Sequence, residues 1–356
     1  MKIIVYAISK NEEKNVKRWY NSMKEADEIY CLDTGSTDNT VSLLKELGVH
    51  VFEEEIIPWR FDTARNKSLN LLPLDTDICV CTDLDEVFQP GWRNHLEEKW
   101  TETTTRVRYN YNWSLTENNE PIVSFYLNKI HARNNYSWIN PVHEVLKSNE
   151  KENIITIDEI TLNHYQDSKK SRKSYLPLLE LAVKEDPTND RNTHYLGREY
   201  MYYKKYTEAI NTLKKHLSLP NATWKDERAA SLRFISRCYK NLNNYPEAKD
   251  YLLKAIAEAP YLRDAYVELA ILEYELKRYD ETIKYALKAL EIKNHQKTYI
   301  NEPFSWNNTI YELLAISYYY QTNYQLAIYF NNLALDKEPT NERLLNNHKI
   351  YKQKEA

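Results

Sequence analysis

The sequence predicts an α/β domain built on a mixed sheet, followed by an all-α domain of helical repeats. Three observations predict this. Short apolar runs alternate with helical patterns over roughly the first hundred residues, as parallel strand–helix–strand units require. Beyond residue 100, two strand-like runs follow each other without a helix between them, which indicates antiparallel additions to the sheet. From residue 171 the pattern is helical throughout, and a motif that begins with tyrosine recurs.

The elements of the first domain, residues 1–170, follow each other in a regular order. The strands are expected at 3–9, 28–33, 49–54, 77–83, 105–113 and 124–133, and the helices at 11–24, 38–47 and 61–72. The opening run, MKIIVYAIS, resembles a signal peptide in having one lysine and a short apolar stretch. A first strand is favoured instead, because a charged stretch follows at once and no small-residue cleavage site is present.

The second domain, residues 171–356, carries four copies of a short motif. The copies are YTEAI at 206–210, YPEAK at 245–249, YDETI at 279–283 and YQLAI at 324–328. Each copy lies between two apolar-periodic segments, which is typical of stacked helix pairs, and an irregular helical bundle is the alternative. Residues 175–187 look like an opening half-unit, and residues 294–306 like an insertion.

Composition narrows the class of protein. The chain has 356 residues, a formal net charge of -4 and a pI of about 6.2, which does not suggest a nucleic-acid binder. No run approaches the roughly 20 apolar residues that a membrane-spanning helix needs. The four cysteines form neither a disulfide pattern nor a zinc pattern, so we expect a reducing, cytoplasmic compartment.

Polar residues follow three of the predicted parallel strands. They are Ser9 with Asn11, Asp33 to Ser36, and Asp83 to Glu86. Ligands of such sheets bind beyond the carboxyl ends of the strands, so these clusters should converge on one edge.

Two of these carboxylates suggest a metal. In an extended segment Asp83 and Asp85 would point the same way, and they would repel each other unless a cation lay between them. Mg²⁺ or Mn²⁺ suits such oxygen ligands and usually keeps phosphate or water as further partners. A solvated acidic turn is the alternative.

Further candidates follow along the chain. Arg65 could grip a diphosphate or a base edge through its planar fork, or form a surface salt bridge. His143 and Glu144 are adjacent, so one of them should face the site and could take a proton from an acceptor. His164 could serve as an additional metal ligand, although a lone histidine is more often a core or surface residue.

Four motifs in order support a family resemblance. They are SKNEE at 9–13, CLDTGSTDNT at 31–40, FDTARN at 61–66 and TDLDEVF at 82–88. With them the first domain resembles the GT-A glycosyltransferases of family 2. With the tyrosine-led helical repeats, which resemble tetratricopeptide repeats, the whole chain resembles the bacterial branch that includes S-glycosyltransferases acting on bacteriocin peptides.

The resemblance implies inverting transfer from a nucleotide sugar, with UDP-hexose the expected donor and Mn²⁺ or Mg²⁺ the cofactor. The residues implied to bind the donor are Ala7, Ser9, Asn11, Asp33, Ser36, Arg65 and Asp83, and those implied to hold the metal are Asp85 and His164. Glu144 or His143 would stand in for the usual acidic base. Thr34 occupies a position where many members have a second aspartate, so one common contact to the base is absent.

The acceptor is left open by the sequence. The repeats favour a peptide or protein acceptor, because repeat domains commonly hold extended chains. A surface polysaccharide or lipid-linked glycan is the alternative acceptor, with the repeats mediating docking or homodimerisation. A third hypothesis is a repeat scaffold whose first domain has lost activity.

Overall fold

The computed structural model describes residues 1–166, 173–296 and 298–355, and these fall into two compact units. The sheet unit comprises residues 1–185 with 298–299, and the helical unit comprises residues 186–296 with 300–355. The domain boundary predicted between residues 170 and 171 lies outside the described residues. None of the helices in these described ranges is both long and apolar enough to cross a lipid bilayer.

The sheet unit contains the predicted mixed sheet. Its strands are β1 Ile3–Ser9, β2 Glu28–Asp33, β3 His50–Glu53, β4 Ile78–Thr82, β5 Glu86–Phe88, β6 Arg106–Leu115, β7 Pro121–Ala132 and β10 Ile154–His164, and a separate hairpin pairs β8 Tyr136–Ile139 with β9 Val145–Ser148. The strand order is β3-β2-β1-β4-β7-β6-β10-β5. Strands β1 to β4 are parallel, whereas β7 runs antiparallel to both β4 and β6. The carboxyl ends of β1, β2 and β4 therefore meet at one edge.

Helices cover this sheet on both faces. They are α1 Glu13–Met23, α2 Thr40–Glu46, α3 Phe61–Asn70 and α4 Trp92–Lys99, and the unit also contains α5 Tyr175–Glu185. Alternation along β1 sends Val5 into one core with Trp19 of α1, and Tyr6 into the opposite core with Trp138. Both faces of the central strands are thus buried, which explains why their sequences read as continuous apolar runs.

Residues 175–187, predicted to open the repeats, belong mainly to the sheet unit instead. They form α5, whose Tyr175 ring lies 6.1 Å from that of Phe61 and 5.7 Å from that of His143. At its other end Glu185 accepts a hydrogen bond from Arg60 at 2.5 Å. The prediction was wrong here because the apolar spacing of a helix does not specify which surface it packs against.

The helical unit consists of consecutive antiparallel helix pairs of the tetratricopeptide type. They are α6 Asp190–Tyr202 with α7 Tyr206–Ser218, α8 Lys225–Asn241 with α9 Tyr245–Glu258, α10 Asp264–Glu275 with α11 Tyr279–Glu291, and α12 Thr309–Tyr320 with α13 Tyr324–Lys337, followed by α14 Glu342–Glu355. The tyrosine of each motif begins the second helix of its pair. The residue two positions before it is left-handed in every pair: Lys204, Asn243, Lys277 and Thr322, with φ between 57° and 61°.

Small residues let the paired helices approach closely. Ala209, Ala248 and Ala327 are fully buried, and Thr282 occupies the corresponding place in the third motif. Gly197 on α6 marks the tightest approach, since a Cβ there would lie 2.5 Å from Cγ of Leu213 on α7.

Replacing Gly197 by alanine should therefore destabilise the protein, by about 1–3 kcal/mol, through overpacking against Leu213. Alanine is intrinsically the better helix former, so a net loss must come from packing. Chemical denaturation monitored by circular dichroism measures the change. Thr207→Ala, at an exposed position of α7, is the control; equal stability of wild type and Gly197→Ala would contradict the close approach.

Candidate functional site

Asp33, at the end of β2, holds the loop that follows it. One of its carboxylate oxygens accepts the backbone N–H groups of Gly35 and Ser36 at 3.0 and 2.8 Å. The other accepts the hydroxyls of Ser9 and Ser36 at 2.8 and 2.5 Å. Gly35 has φ +104°, a conformation that glycine adopts without strain. The buried Asp33 carboxylate thus shapes a turn of exposed polar groups rather than pointing into solvent itself.

Asn11 joins the loops after β1 and β2. Its backbone N–H donates to the Ser36 hydroxyl at 2.8 Å, and its side-chain oxygen accepts the N–H of Thr37 at 2.7 Å. Asn11 is left-handed, with φ 56°, which turns the chain sharply out of β1. The loops expected to face a donor, from Ser9 and Asn11 and from Asp33 and Ser36, are therefore one hydrogen-bonded surface.

Ala7 lies beneath this surface. Its side chain is fully buried within the sheet, and its carbonyl accepts a hydrogen bond from the Ser68 hydroxyl at 2.8 Å. Ala7 therefore lies within the sheet beneath these loops and is not exposed at the carboxyl edge of the strands.

The segment from Asp83 to Glu86 is a turn, not the extended chain that the sequence analysis assumed. The Glu86 N–H donates to the Asp83 carbonyl at 3.0 Å, and the Asp83 N–H donates to the Glu86 carboxylate at 2.9 Å. Because the chain reverses here, Asp83 and Asp85 do not point the same way. Each has its own set of partners.

Asp83 lies between two cations. Its carboxylate is 2.6 Å from Nη2 of Arg65 and 3.3 Å from Nζ of Lys129. Burial alone would raise the pKa of Asp83, but the positive charges of Arg65 and Lys129 lower it well below its usual value. Asp83 is therefore a carboxylate at any physiological pH and could accept hydrogen bonds from the hydroxyls of a ribose.

The guanidinium of Arg65 makes its hydrogen bonds within the protein. Its Nε donates to Glu144 at 2.9 Å while Nη2 donates to Asp83, and its side chain is only 3% exposed. Burial opposes its charge, but Asp83 and Glu144 more than compensate and raise its pKa above the usual value. This geometry disfavours direct contact of Arg65 with a base or diphosphate, because Nε and Nη2 already donate to Glu144 and Asp83. Arg65 positions the two carboxylates.

Asp85 faces His164 across the end of the sheet. Strand β10 pairs antiparallel with β5, with His164 opposite Glu86, and this register leaves 3.6 Å between Nε2 of His164 and Oδ2 of Asp85. Nδ1 of His164 lies 3.0 Å from the carbonyl of Trp113. A carbonyl only accepts, so Nδ1 carries a proton, and Nε2 is the nitrogen that faces Asp85 and whose lone pair would be available to a cation between them.

This pair fits a divalent cation. Neighbouring ligands of an octahedral divalent cation lie about 3 Å apart, close to the separation between Asp85 and His164, and the Trp113 carbonyl orients the imidazole as an outer partner of a metal ligand should. Burial alone would lower the pKa of His164, but Asp85 and, more weakly, Glu86 raise it above its usual value.

The sequence analysis left open which of His143 and Glu144 faces the site, and the structure gives the two residues different partners. Both lie in the connection between β8 and β9, not in a strand. Glu144 is tied through Arg65 to Asp83, whereas the ring of His143 packs against Tyr175 of α5. Glu144 is therefore the residue of the two that is linked, through Arg65, to the carboxylate cluster of Asp83, Asp85 and Glu86.

Sequence reasoning missed two residues of the cluster. Lys129 projects from β7 between Asp83 and Glu86, 3.6 Å from the Glu86 carboxylate, and Trp113 stacks on the His164 ring with centroids 4.6 Å apart. The sequence did hold a signal for Lys129, because it is a charged residue within the partly apolar strand pattern of residues 124–133. Trp113 ends the pattern of residues 105–113 and gave no comparable signal.

The parallel sheet collects acidic loops at its carboxyl edge, where such sheets bind their ligands, and the antiparallel strands add a histidine there. Residues 4–154 match the model of the family described as Glycosyl transferase family 2. The sheet unit is a family 2 glycosyltransferase domain, and tetratricopeptide-type repeats follow it. Members of this family generally use a divalent metal.

Curated relatives share parts of the chain. An uncharacterized glycosyltransferase of Rickettsia typhi is 30% identical over 107 residues, which cover 28% of this chain and 36% of that protein. Outer dynein arm-docking complex subunit 4 of Danio rerio is 33% identical over 121 residues, which cover 32% of this chain and 24% of that protein. The chain thus spans about a quarter to a third of the length of these relatives.

Among solved structures, MamA is 22% identical and covers 50% of this chain and 99% of its own, with a TM-score of 0.39. YrrB, whose structure is titled a TPR protein with an unusual peptide-binding site, is 16% identical and covers 50% of this chain and 83% of its own, with a TM-score of 0.38. These likenesses are too distant to carry functional information.

Proposed function

We propose that this protein is an inverting, metal-dependent glycosyltransferase that moves a hexose from a nucleotide donor, UDP-hexose in the first instance, to a peptide or protein acceptor. The observation that carries the proposal is the meeting of the Asp33 loop, the Asp83–Glu86 turn and His164 within the sheet unit. The four cysteines, all free and buried, are in keeping with the cytoplasm.

The donor would lie along the carboxyl edge. The loops of Asn11 and Ser36, which Ser9 and Asp33 support from beneath, would offer polar groups to the nucleoside, and Asp83 would offer its carboxylate to the ribose. Asp85 and His164 would hold the divalent cation, which neutralises the charge of the leaving diphosphate when bound. Lys129 is the remaining cation of the cluster and could contribute to the same neutralisation, since it lies beside Asp83.

Acceptor activation is assigned to Glu144. A carboxylate within reach of an acceptor hydroxyl or thiol can take its proton as the acceptor attacks the anomeric carbon from the face opposite the diphosphate. Arg65 orients Glu144 through its 2.9 Å contact, whereas the ring of His143 packs against Tyr175 of α5.

The peptide acceptor is supported by the helical unit. Repeat proteins bind extended chains, and tyrosine is enriched where proteins bind partners because its ring gives contact area and its hydroxyl a hydrogen bond. Several tyrosines of this unit are more than 40% exposed: Tyr202, Tyr203, Tyr261, Tyr320 and Tyr329.

Incubation with a panel of nucleotide sugars, Mn²⁺ and candidate peptides tests the proposal, with intact mass as the readout. The expected result is a gain of one hexose mass on a peptide, dependent on the metal. Transfer only to lipid or saccharide acceptors would overturn the peptide assignment, and absence of both transfer and donor hydrolysis would favour an inactive scaffold.

Replacing Glu144 by glutamine should lower kcat for transfer about a hundredfold, the lower end of what general base catalysis contributes. Glutamine keeps the shape and the hydrogen bond from Arg65 but cannot take a proton. Initial rates at saturating donor, compared between the wild type and the variant, check the prediction. His143→Gln is the control, and a larger loss there would move the role to His143.

A further inference from the structure

A second group of metal-binding side chains lies in the helical unit, apart from the donor site. His194 comes from α6, His216 from α7 and Glu227 from α8, and all three are buried, the two histidines completely. One potential ligand atom from each lies within 4.8 Å of the others. Three consecutive helices of the unit therefore each contribute one such side chain to a single interior point.

Ser231 of α8 orients both imidazoles. Its hydroxyl oxygen lies 2.7 Å from Nδ1 of His194 and 2.9 Å from Nδ1 of His216. The same nitrogen of each ring is thus engaged by the same oxygen. The opposite nitrogens, Nε2 of His194 and Nε2 of His216, are buried and make no hydrogen bond, and Nε2 of His216 is 3.3 Å from the Glu227 carboxylate.

One arrangement of the protons leaves both Nε2 atoms available to a cation. A hydroxyl oxygen can accept from both Nδ1–H groups, and a helical serine can direct its own proton to the carbonyl four residues before it, here that of Glu227. Both rings are then neutral with a lone pair on Nε2, which is the form that binds metals. Metal-ligating histidines almost always donate their other N–H to an outer partner, and Ser231 can serve both rings in that way.

We propose that His194, His216 and Glu227 bind a structural zinc ion that fastens α6, α7 and α8 together. Two imidazole nitrogens and one carboxylate oxygen suit Zn²⁺, whereas Mg²⁺ and Ca²⁺ prefer oxygen ligands alone. Ligands of a tetrahedral zinc lie about 3.3 Å apart, so the cluster must contract by roughly 1.5 Å at most, which small side-chain rotations allow, and a water molecule would supply the fourth ligand.

The surroundings match a structural rather than a catalytic role. Both histidines are fully buried, so a substrate in solvent could not reach them. The ion would bind as the helices fold. Arg198 and Arg233 are the positively charged neighbours of His194. Arg233 is paired with Glu268 at 2.6 Å, and Arg198 lies over the Tyr195 ring at 4.5 Å, so each has its own partner.

Metal analysis of the full chain tests the proposal. Protein expressed with zinc and freed of any affinity tag should retain one zinc ion per chain after gel filtration in chelator-treated buffer. His194→Gln and His216→Gln should lose that zinc. Asp85→Asn, which alters the donor site, and His348→Gln, which removes a histidine of α14, should both keep it.

Cobalt gives a second readout that does not depend on the variants folding. Wild-type protein unfolded with chelator and refolded with Co²⁺ should show the strong visible absorption of tetrahedral cobalt, and added Zn²⁺ should abolish it and raise the midpoint of thermal unfolding above that of the metal-free protein. Wild-type protein that holds no zinc and gives no such spectrum would overturn the proposal, as would equal zinc in the two histidine variants and the controls.

Discussion

Replacing Asp85 by asparagine is expected to lower the rate of sugar transfer about a thousandfold while leaving the fold intact. Asparagine keeps the size of the side chain at the turn after β4 but removes the negative charge that faces His164 at 3.6 Å. Losing one electrostatic contact to a developing charge costs up to about 4 kcal/mol, which corresponds to a factor of a thousand. Discontinuous transfer assays with and without added Mn²⁺ measure the effect.

The control for Asp85→Asn is Asp75→Asn, the same substitution at a carboxylate whose side chain is 73% exposed. It should transfer at the wild-type rate. Circular dichroism and thermal unfolding should be unchanged in both proteins, so that a lost rate reports chemistry. Metal-stimulated transfer by Asp85→Asn at the wild-type rate would remove Asp85 from the site.

The sequence was sufficient to predict the sheet and the edge at which its parallel strands end together. The apolar runs of β1, β2 and β4 reveal strands buried on both faces, and parallel strands bring their carboxyl ends together whatever lies between them. That rule alone places Ser9, Asp33 and Asp83 at one edge. The repeats could be predicted equally well from the sequence, because the tyrosine that opens each motif begins a helix in every pair.

Side-chain direction at the edge could not be predicted in the same way. Whether residues 83–86 run straight or turn depends on two hydrogen bonds that Asp83 and Glu86 exchange, and a sequence pattern of period two carries no such information. The turn sends Asp83 towards Arg65 and Asp85 towards His164. The expectation of a paired dicarboxylate is therefore replaced by two carboxylates with different partners.

Long-range partners were also beyond the sequence. Lys129 reaches Asp83 only because β7 inserts antiparallel between β4 and β6, and strand order cannot be deduced from the run of residues 124–133. Glu144 was a candidate from the sequence, but its contact with Arg65 joins residues 79 positions apart. Such contacts are properties of topology, so they appear only once the sheet is assembled.

Replacing Arg65 by methionine is expected to have a double effect, on stability and on transfer. Methionine fills the space of the stem but leaves the carboxylates of Asp83 and Glu144 without the cation between them. Removing one partner of a buried ion pair costs about 3–5 kcal/mol, and the lower figure applies here because the Asp83 side chain is 33% exposed. Urea denaturation and transfer assays on the same preparation measure both effects.

Arg93→Met is the matched control for Arg65→Met. Arg93 also pairs with two carboxylates, Asp27 and Glu97, but its side chain is 24% exposed, and pairs so open to water contribute about 1 kcal/mol or less. Arg65 should therefore prove the more costly loss, and only its variant should lose transfer, by at least the hundredfold expected for Glu144→Gln. An Arg65→Met enzyme that is destabilised yet transfers normally when folded would mean that the carboxylates act without being held, and that Arg65 serves the fold alone.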